Sequence, residues 1–141
     1  MAVVLKKMPP KQLTFVDTSV LINAAIGLDA ARKMRALSVL GDPQREFVAT
    51  QFLKLEALPI PINHKRKKET AFYERFFAGV SIWVDDAAII QPAYDLACQY
   101  ALGALDALHI AAAIAANAEF ISAEKPTKPL YAAYSNTSSI F

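Results

Sequence analysis

The sequence predicts an α/β fold with a central, mostly parallel sheet covered by helices. Short runs of apolar, β-favouring residues at 13–16, 47–49, 80–84 and 120–121 alternate with longer stretches of helical periodicity. Strands that alternate with helices pair in parallel, because each helical crossover returns the chain to the same end of the sheet. A chain of 141 residues with 55% hydrophobic content has enough apolar side chains to bury such a sheet. Several runs end abruptly in polar residues, and ligands of this fold class bind at the carboxyl ends of the strands.

The first element follows the Pro9-Pro10 break. Leu13, Thr14, Phe15 and Val16 form a strand that stops at Asp17-Thr18-Ser19. Thr18 or Ser19 is placed to cap a helix carrying Val20, Leu21 and Ile22. Gly27 closes that helix, and a second is expected over 28–40, ended by Gly41-Asp42-Pro43. The strand at 47–49 leads to Thr50, a cap for the helix with Phe52, Leu53, Glu56 and Ala57, which Pro59 and Pro61 are expected to end. Asn63 is read as opening a helix that runs through the basic segment to Gly79, with Phe72, Phe76 and Phe77 on one apolar face. After the strand at 80–84, Asp85-Asp86 reads as a turn and cap, followed by helices over 87–100 and 105–116. Phe120-Ile121 breaks at Ser122-Ala123-Glu124. Residues 127–141 leave open a last edge strand or an irregular tail. The chain is read as one domain over 1–141, with its motifs within 13–124 and a C-terminal segment at 125–141.

A formal net charge of +2 is too small to mark a protein that coats polyanions. The single Cys98 excludes an internal disulfide framework and any multi-cysteine zinc site, and reads as a small buried thiol. Residues 1–7 lack the pattern of an export signal. The alanine-dominated stretch at 102–116 carries Asp106 and His109, which argues against a membrane span. A soluble, cytoplasmic protein with no membrane attachment is the expectation.

Asp17, Glu56, Asp106 and Glu124 stand out because carboxylates at core-like positions are costly to bury without a cation or a hydrogen-bond network. Asp17 follows Phe15-Val16 and Glu124 follows Phe120-Ile121, so both fall at the carboxyl edge of the sheet. Asp106 sits in the first turn of its helix, where the helix dipole stabilises a carboxylate. Glu56 projects from the helix after the second strand. Four oxygen ligands from four separate elements suit Mg²⁺ or Mn²⁺. Taken singly, each acid also has a plain structural role: Asp17 as a cap, Asp106 as a dipole partner, Glu56 and Glu124 as solvated charge.

The flanking residues add a family resemblance. Phe15-Val16-Asp17-Thr18-Ser19-Val20-Leu21-Ile22 resembles the opening motif of PIN-domain nucleases, and Leu105-Asp106-Ala107-Leu108-His109-Ile110-Ala111-Ala112-Ala113 is similar to their third motif. Leu53-Lys54-Leu55-Glu56 and Phe120-Ile121-Ser122-Ala123-Glu124 resemble the second and the last. The resemblance implies the three-layer α/β/α PIN-like fold and a metal-dependent ribonuclease. In it Asp17, Glu56, Asp106 and Glu124 would hold Mg²⁺ or Mn²⁺, and Ser19 would be a supporting hydroxyl. It also implies a VapC-like toxin with an RNA substrate, a cognate antitoxin and a homodimeric state, the helices at 21–40 offering the apolar face for the dimer. Glu124 departs from the pattern, which has aspartate there. That departure supports an alternative, a catalytically impaired PIN-like module that binds RNA or protein.

Lys65-Arg66-Lys67-Lys68 is the strongest local charge cluster, suited equally to RNA phosphates and to a solvated helix start. His109 is read as a packed or supporting residue behind the site, His64 as exposed, and Trp83 and Tyr94 as core.

Overall fold

The computed structural model describes residues 10–141; the run at 1–7 lies outside the described residues. The elements run β1 (Gln12–Val16), α1 (Thr18–Ile26), α2 (Ala30–Leu40), β2 (Arg45–Ala49), α3 (Gln51–Ala57), α4 (Pro59–Asn63), α5 (Lys67–Ala78) and β3 (Ile82–Trp83). A short 3-10 turn at Ala87–Ile89 then leads to α6 (Ile90–Tyr100), α7 (Ala104–Ala115), β4 (Glu119–Ser122), α8 (Leu130–Ala133) and β5 (Thr137–Ser139).

All strand pairs are parallel, in the order β3-β2-β1-β4-β5. The chain therefore works outward from β1 to β3, then crosses back to β4 and on to β5. Right-handed crossovers put the helices of these two halves on opposite faces. Aromatic contacts agree. Phe47 of β2 meets Phe76 of α5 at 5.4 Å on one face. Phe15 of β1, one register position on, meets His109 of α7 at 5.4 Å and Phe120 of β4 at 5.8 Å on the other. Period-two alternation along each strand delivers these neighbours to opposite helical layers. The result is a five-stranded parallel sheet between helices, as predicted.

Local chemistry explains the departures from expectation. Pro59 and Pro61 follow the end of α3 but do not stop helical structure: they lie in the first turn of α4, where backbone N–H groups have no intrahelical partner to lose. Asn63 ends a helix instead of opening one. His64 is exposed, and Lys65 at φ 55° adopts the left-handed conformation that turns the chain before α5 begins at Lys67. The third strand is only Ile82–Trp83, with Trp83 stacked on Phe77 at 6.0 Å. Cys98 and Tyr94 are exposed, not buried. The segment at 125–141 supplies α8 and the edge strand β5, which pairs with β4 through Ile121 and Ser138. Thr50 caps α3 as expected, its hydroxyl accepting the Leu53 N–H at 3.0 Å. No helix among the described residues is long and apolar enough to cross a membrane.

At the amino ends of the strands, Arg45 of β2 pairs with Glu119 of β4 and with Asp42 at 3.0 Å, while Thr14 of β1 donates to Glu119 at 2.8 Å. This polar clasp ties three strands together at the edge remote from the candidate site.

Candidate metal centre

The strand order reverses between β1 and β4, and their carboxyl ends open the crevice where α/β sheets place ligands. Asp17 leaves β1 at that point, its N–H donating to the Ile121 carbonyl at 2.9 Å. The residue is 5% exposed. Its Oδ2 accepts from Ser19 at 3.1 Å and from Ser122, at the end of β4, at 2.9 Å. Each hydroxyl in turn accepts a backbone N–H: Ser19 from Ala123 at 2.9 Å, Ser122 from Glu124 at 3.0 Å. Each hydroxyl thus accepts one backbone N–H and donates its proton to Asp17. Although Asp17 is the N-terminal flank of α1, its side chain makes no capping bond, so the carboxylate is not committed to the helix.

Glu56 approaches from α3. Its Oε1 accepts from Thr18, the first residue of α1, and meets Nε2 of His109 on α7 at 3.1 Å. Burial works to raise the Glu56 pKa, but the hydrogen bonds from His109 and Thr18 outweigh it and hold the carboxyl below its ordinary value. His109 is wholly buried, and its Nδ1 has no partner among the described residues.

Asp106 lies in the first turn of α7. Burial raises its pKa above the ordinary value, and Asp17 adds to the rise, with smaller contributions from Glu56 and Glu124 opposed by His109. Desolvation and like charge therefore set the direction at Asp106. Glu124 is exposed, and its backbone is pinned: the carbonyl accepts from Tyr131 at 2.6 Å and from Ser139 at 2.8 Å.

Among the described residues, Asp17, Glu56 and His109 each bring one ligand atom within 4.8 Å of the others. Asp106 and Glu124 stand outside that tight group while still acting on the local field. Donor atoms on opposite sides of a Mg²⁺- or Mn²⁺-sized ion are separated by about 4–4.5 Å, so the approach of the Asp17 and Glu56 carboxylates fits a divalent cation between them. Hard carboxylate oxygens and the like-charge excess at Asp106 fit it as well. Lys65, Arg66, Lys67 and Lys68 are all exposed, with Ile26 of α1 beside them, and Arg66 reaches Glu69 at 3.5 Å.

A model of the PIN domain matches residues 14–126. The chain belongs to the PIN-domain family. This PIN domain is also similar to solved structures. A toxin-antitoxin complex from Klebsiella pneumoniae superposes with a TM-score of 0.65 at 16% identity, over 91% of this chain and 98% of that one. VapBC2 from Rickettsia felis, bound to a DNA fragment from its promoter, gives 0.64 at 14% identity over the same shares, 91% and 98%. FitAcB from Neisseria gonorrhoeae gives 0.56 at 20% identity over 85% and 92%. At these identities the likeness speaks for the fold. No curated relative matches the chain.

Two polar partners at the site were not legible as such in the sequence. Thr18 reads as a helix cap, yet its hydroxyl serves Glu56. Ser122 lies inside the segment that resembles the last motif but was assigned no role there, and only the pairing of Val16 with Ile121 brings it beside Asp17. His109 is both packed and supporting, as read, through its bond to Glu56.

Proposed function

We propose that this PIN domain is a metal-dependent endoribonuclease and the toxin of a toxin-antitoxin pair. The observation that carries the reading is the convergence of Asp17 and Glu56 at the carboxyl edge of the sheet, with Asp106 close enough for its proton affinity to respond to both. Mg²⁺ or Mn²⁺, when bound, supplies charge neutralisation for phosphate oxygens and acidifies water. The chain's part is to hold the ion and the RNA. Asp17 and Glu56 bind the cation, Asp106 and Glu124 deepen the negative field that attracts it, and Ser19 keeps Asp17 oriented. The cognate antitoxin is supported by the neighbours, one of which is a toxin-antitoxin complex. A homodimer and a cytoplasmic setting belong to the same reading; Ile22, Ile26, Leu28 and Met34, exposed along and between α1 and α2, offer an apolar face for self-association.

RNA cleavage assayed on a panel of structured RNAs is expected with Mg²⁺ or Mn²⁺ and is expected to stop on adding chelator. Cleavage that persists in chelator would overturn the metal requirement. The alternative, a PIN-like module that binds RNA or protein without turnover, is favoured by the exposure of Glu124 outside the tight ligand group. RNA affinity without cleavage and without Mn²⁺ binding would select it.

Lys67 and Lys68 begin α5 at its positive end, where cations are unfavourable for the helix and favourable for a phosphate. Replacing both with glutamine is expected to weaken RNA binding across sequences. The slope of log affinity against log salt should become shallower by about 1.4, the value for two lost contacts to a single strand. An unchanged slope, measured by fluorescence anisotropy, would place the RNA elsewhere.

A further inference from the structure

Each of the two central carboxylates has one oxygen tied and one open. Oδ2 of Asp17 accepts from two serine hydroxyls, and Oε1 of Glu56 receives Thr18 and His109. Among the described residues, no hydrogen bond reaches Oδ1 of Asp17 or Oε2 of Glu56.

The role of His109 follows from its unpartnered nitrogen. A histidine that ligates a metal through one ring nitrogen donates its other N–H to a carboxylate, a carbonyl or water. Nδ1 of His109 is buried with no such partner among the described residues, so coordination through Nε2 would strand a buried N–H. The arrangement with the smaller cost keeps the ring off the ion, with Nε2–H donating to Glu56.

Resting on the cation reading above, we infer that His109 and Thr18 are positioning residues that make Glu56 a one-oxygen ligand and thereby set the centre's preference for Mg²⁺ or Mn²⁺ over Ca²⁺. Ca²⁺ takes more oxygens and commonly both from one carboxylate, whereas the smaller ions take single oxygens in octahedral geometry. Two donors from different helices, α1 and α7, hold Oε1 and prevent Glu56 from rotating to offer both oxygens. Both bonds fall on the same oxygen, so besides holding the Glu56 carboxyl in its charged form they leave Oε2 as the one without a partner among the described residues.

The test is calorimetric titration of Mn²⁺ and Ca²⁺ into the full chain, for the wild type, Thr18→Val, His109→Leu and His109→Gln, each checked for folding by circular dichroism. The wild type is expected to bind Mn²⁺ more tightly than Ca²⁺. Thr18→Val and His109→Leu should each weaken Mn²⁺ binding about 10-fold or more and narrow its advantage over Ca²⁺. His109→Gln, whose amide can donate in place of Nε2, should recover most of both. If His109→Leu does not fold, Thr18→Val, which keeps the side-chain shape, decides. Unchanged Mn²⁺ affinity and an unchanged Mn²⁺/Ca²⁺ ratio in a folded Thr18→Val would overturn the inference alone, as would nitrogen coupling from His109 in the Mn²⁺ spin-resonance spectrum. A wild-type chain that binds neither ion would bring down the cation reading itself, and this inference with it.

Discussion

Asp17→Asn is expected to lower metal-dependent RNA cleavage by at least ~10³-fold, a loss of about 4 kcal/mol of transition-state stabilisation, while the chain stays folded. Asparagine is the informative substitution because it removes the charge and little else. Ser19 and Ser122 both aim hydroxyl protons at Oδ2 of Asp17, and alanine would leave those two donors unsatisfied in a buried place. The asparagine side chain keeps an oxygen for them. α1 also loses no capping bond, since its N-terminal end takes no hydrogen bond from the Asp17 side chain. Cleavage rates with Mn²⁺, alongside thermal melts, check the prediction. A folded Asp17→Asn protein with wild-type activity would refute the catalytic assignment.

Asp106→Asn should separate activity from stability in the opposite sense: cleavage falls by at least ~10²-fold, and the metal-free protein becomes more stable. Burial, and then the charge of Asp17, raise the Asp106 pKa, so the folded chain holds this proton more tightly than the unfolded chain does. Below the ordinary carboxylate range both states are protonated and nothing is lost. As pH rises above that range the unfolded chain releases its proton first, and stability falls until pH passes the raised folded value. The wild type therefore loses stability relative to Asp106→Asn across that window and keeps the deficit at neutral pH. Melts in chelator from pH 4 to 8 measure the gap between the two proteins; a gap that closes with rising pH would contradict the sign. Adding Mn²⁺ should reverse the order. Ligand at a hundred times its dissociation constant stabilises the wild type by about 2.7 kcal/mol, and the variant, short of one carboxylate, gains less.

The alternation of strand and helix was readable because each element carries its own signal. Apolar runs at 13–16 and 120–121 are too short for helices and end in polar residues, and Thr50 stands where a cap belongs. Misreadings arose where one residue type serves two geometries. Pro59 and Pro61 break a helix interior but suit a helix start, and they lie in the first turn of α4. Lys65 disrupts a continuous basic helix by adopting a positive φ, which no local pattern of lysines and arginines announces. Cys98 and Tyr94 belong to an apolar stretch, but only the packing of α6 against α7 determines which side of the helix is covered.

The acids were visible for the same reason as the strands: a carboxylate that interrupts an apolar run is conspicuous one residue at a time, and its cost of burial is known before its neighbours are. Apart from Ser19 and His109, read as supporting groups, their partners were not, and which oxygen each partner meets was not visible for any of them. The bonds from Thr18 and His109 to Glu56 and from Ser122 to Asp17 join residues 38, 53 and 105 positions apart. Whether those donors meet their acceptors depends on strand register and on where α3 and α7 cross the sheet edge, and a hydrogen bond vanishes with a displacement of about 1 Å. Chemical character is inscribed in the linear chain, but which oxygen of each carboxylate is tied and which stays free arises from distances that long-range packing alone sets.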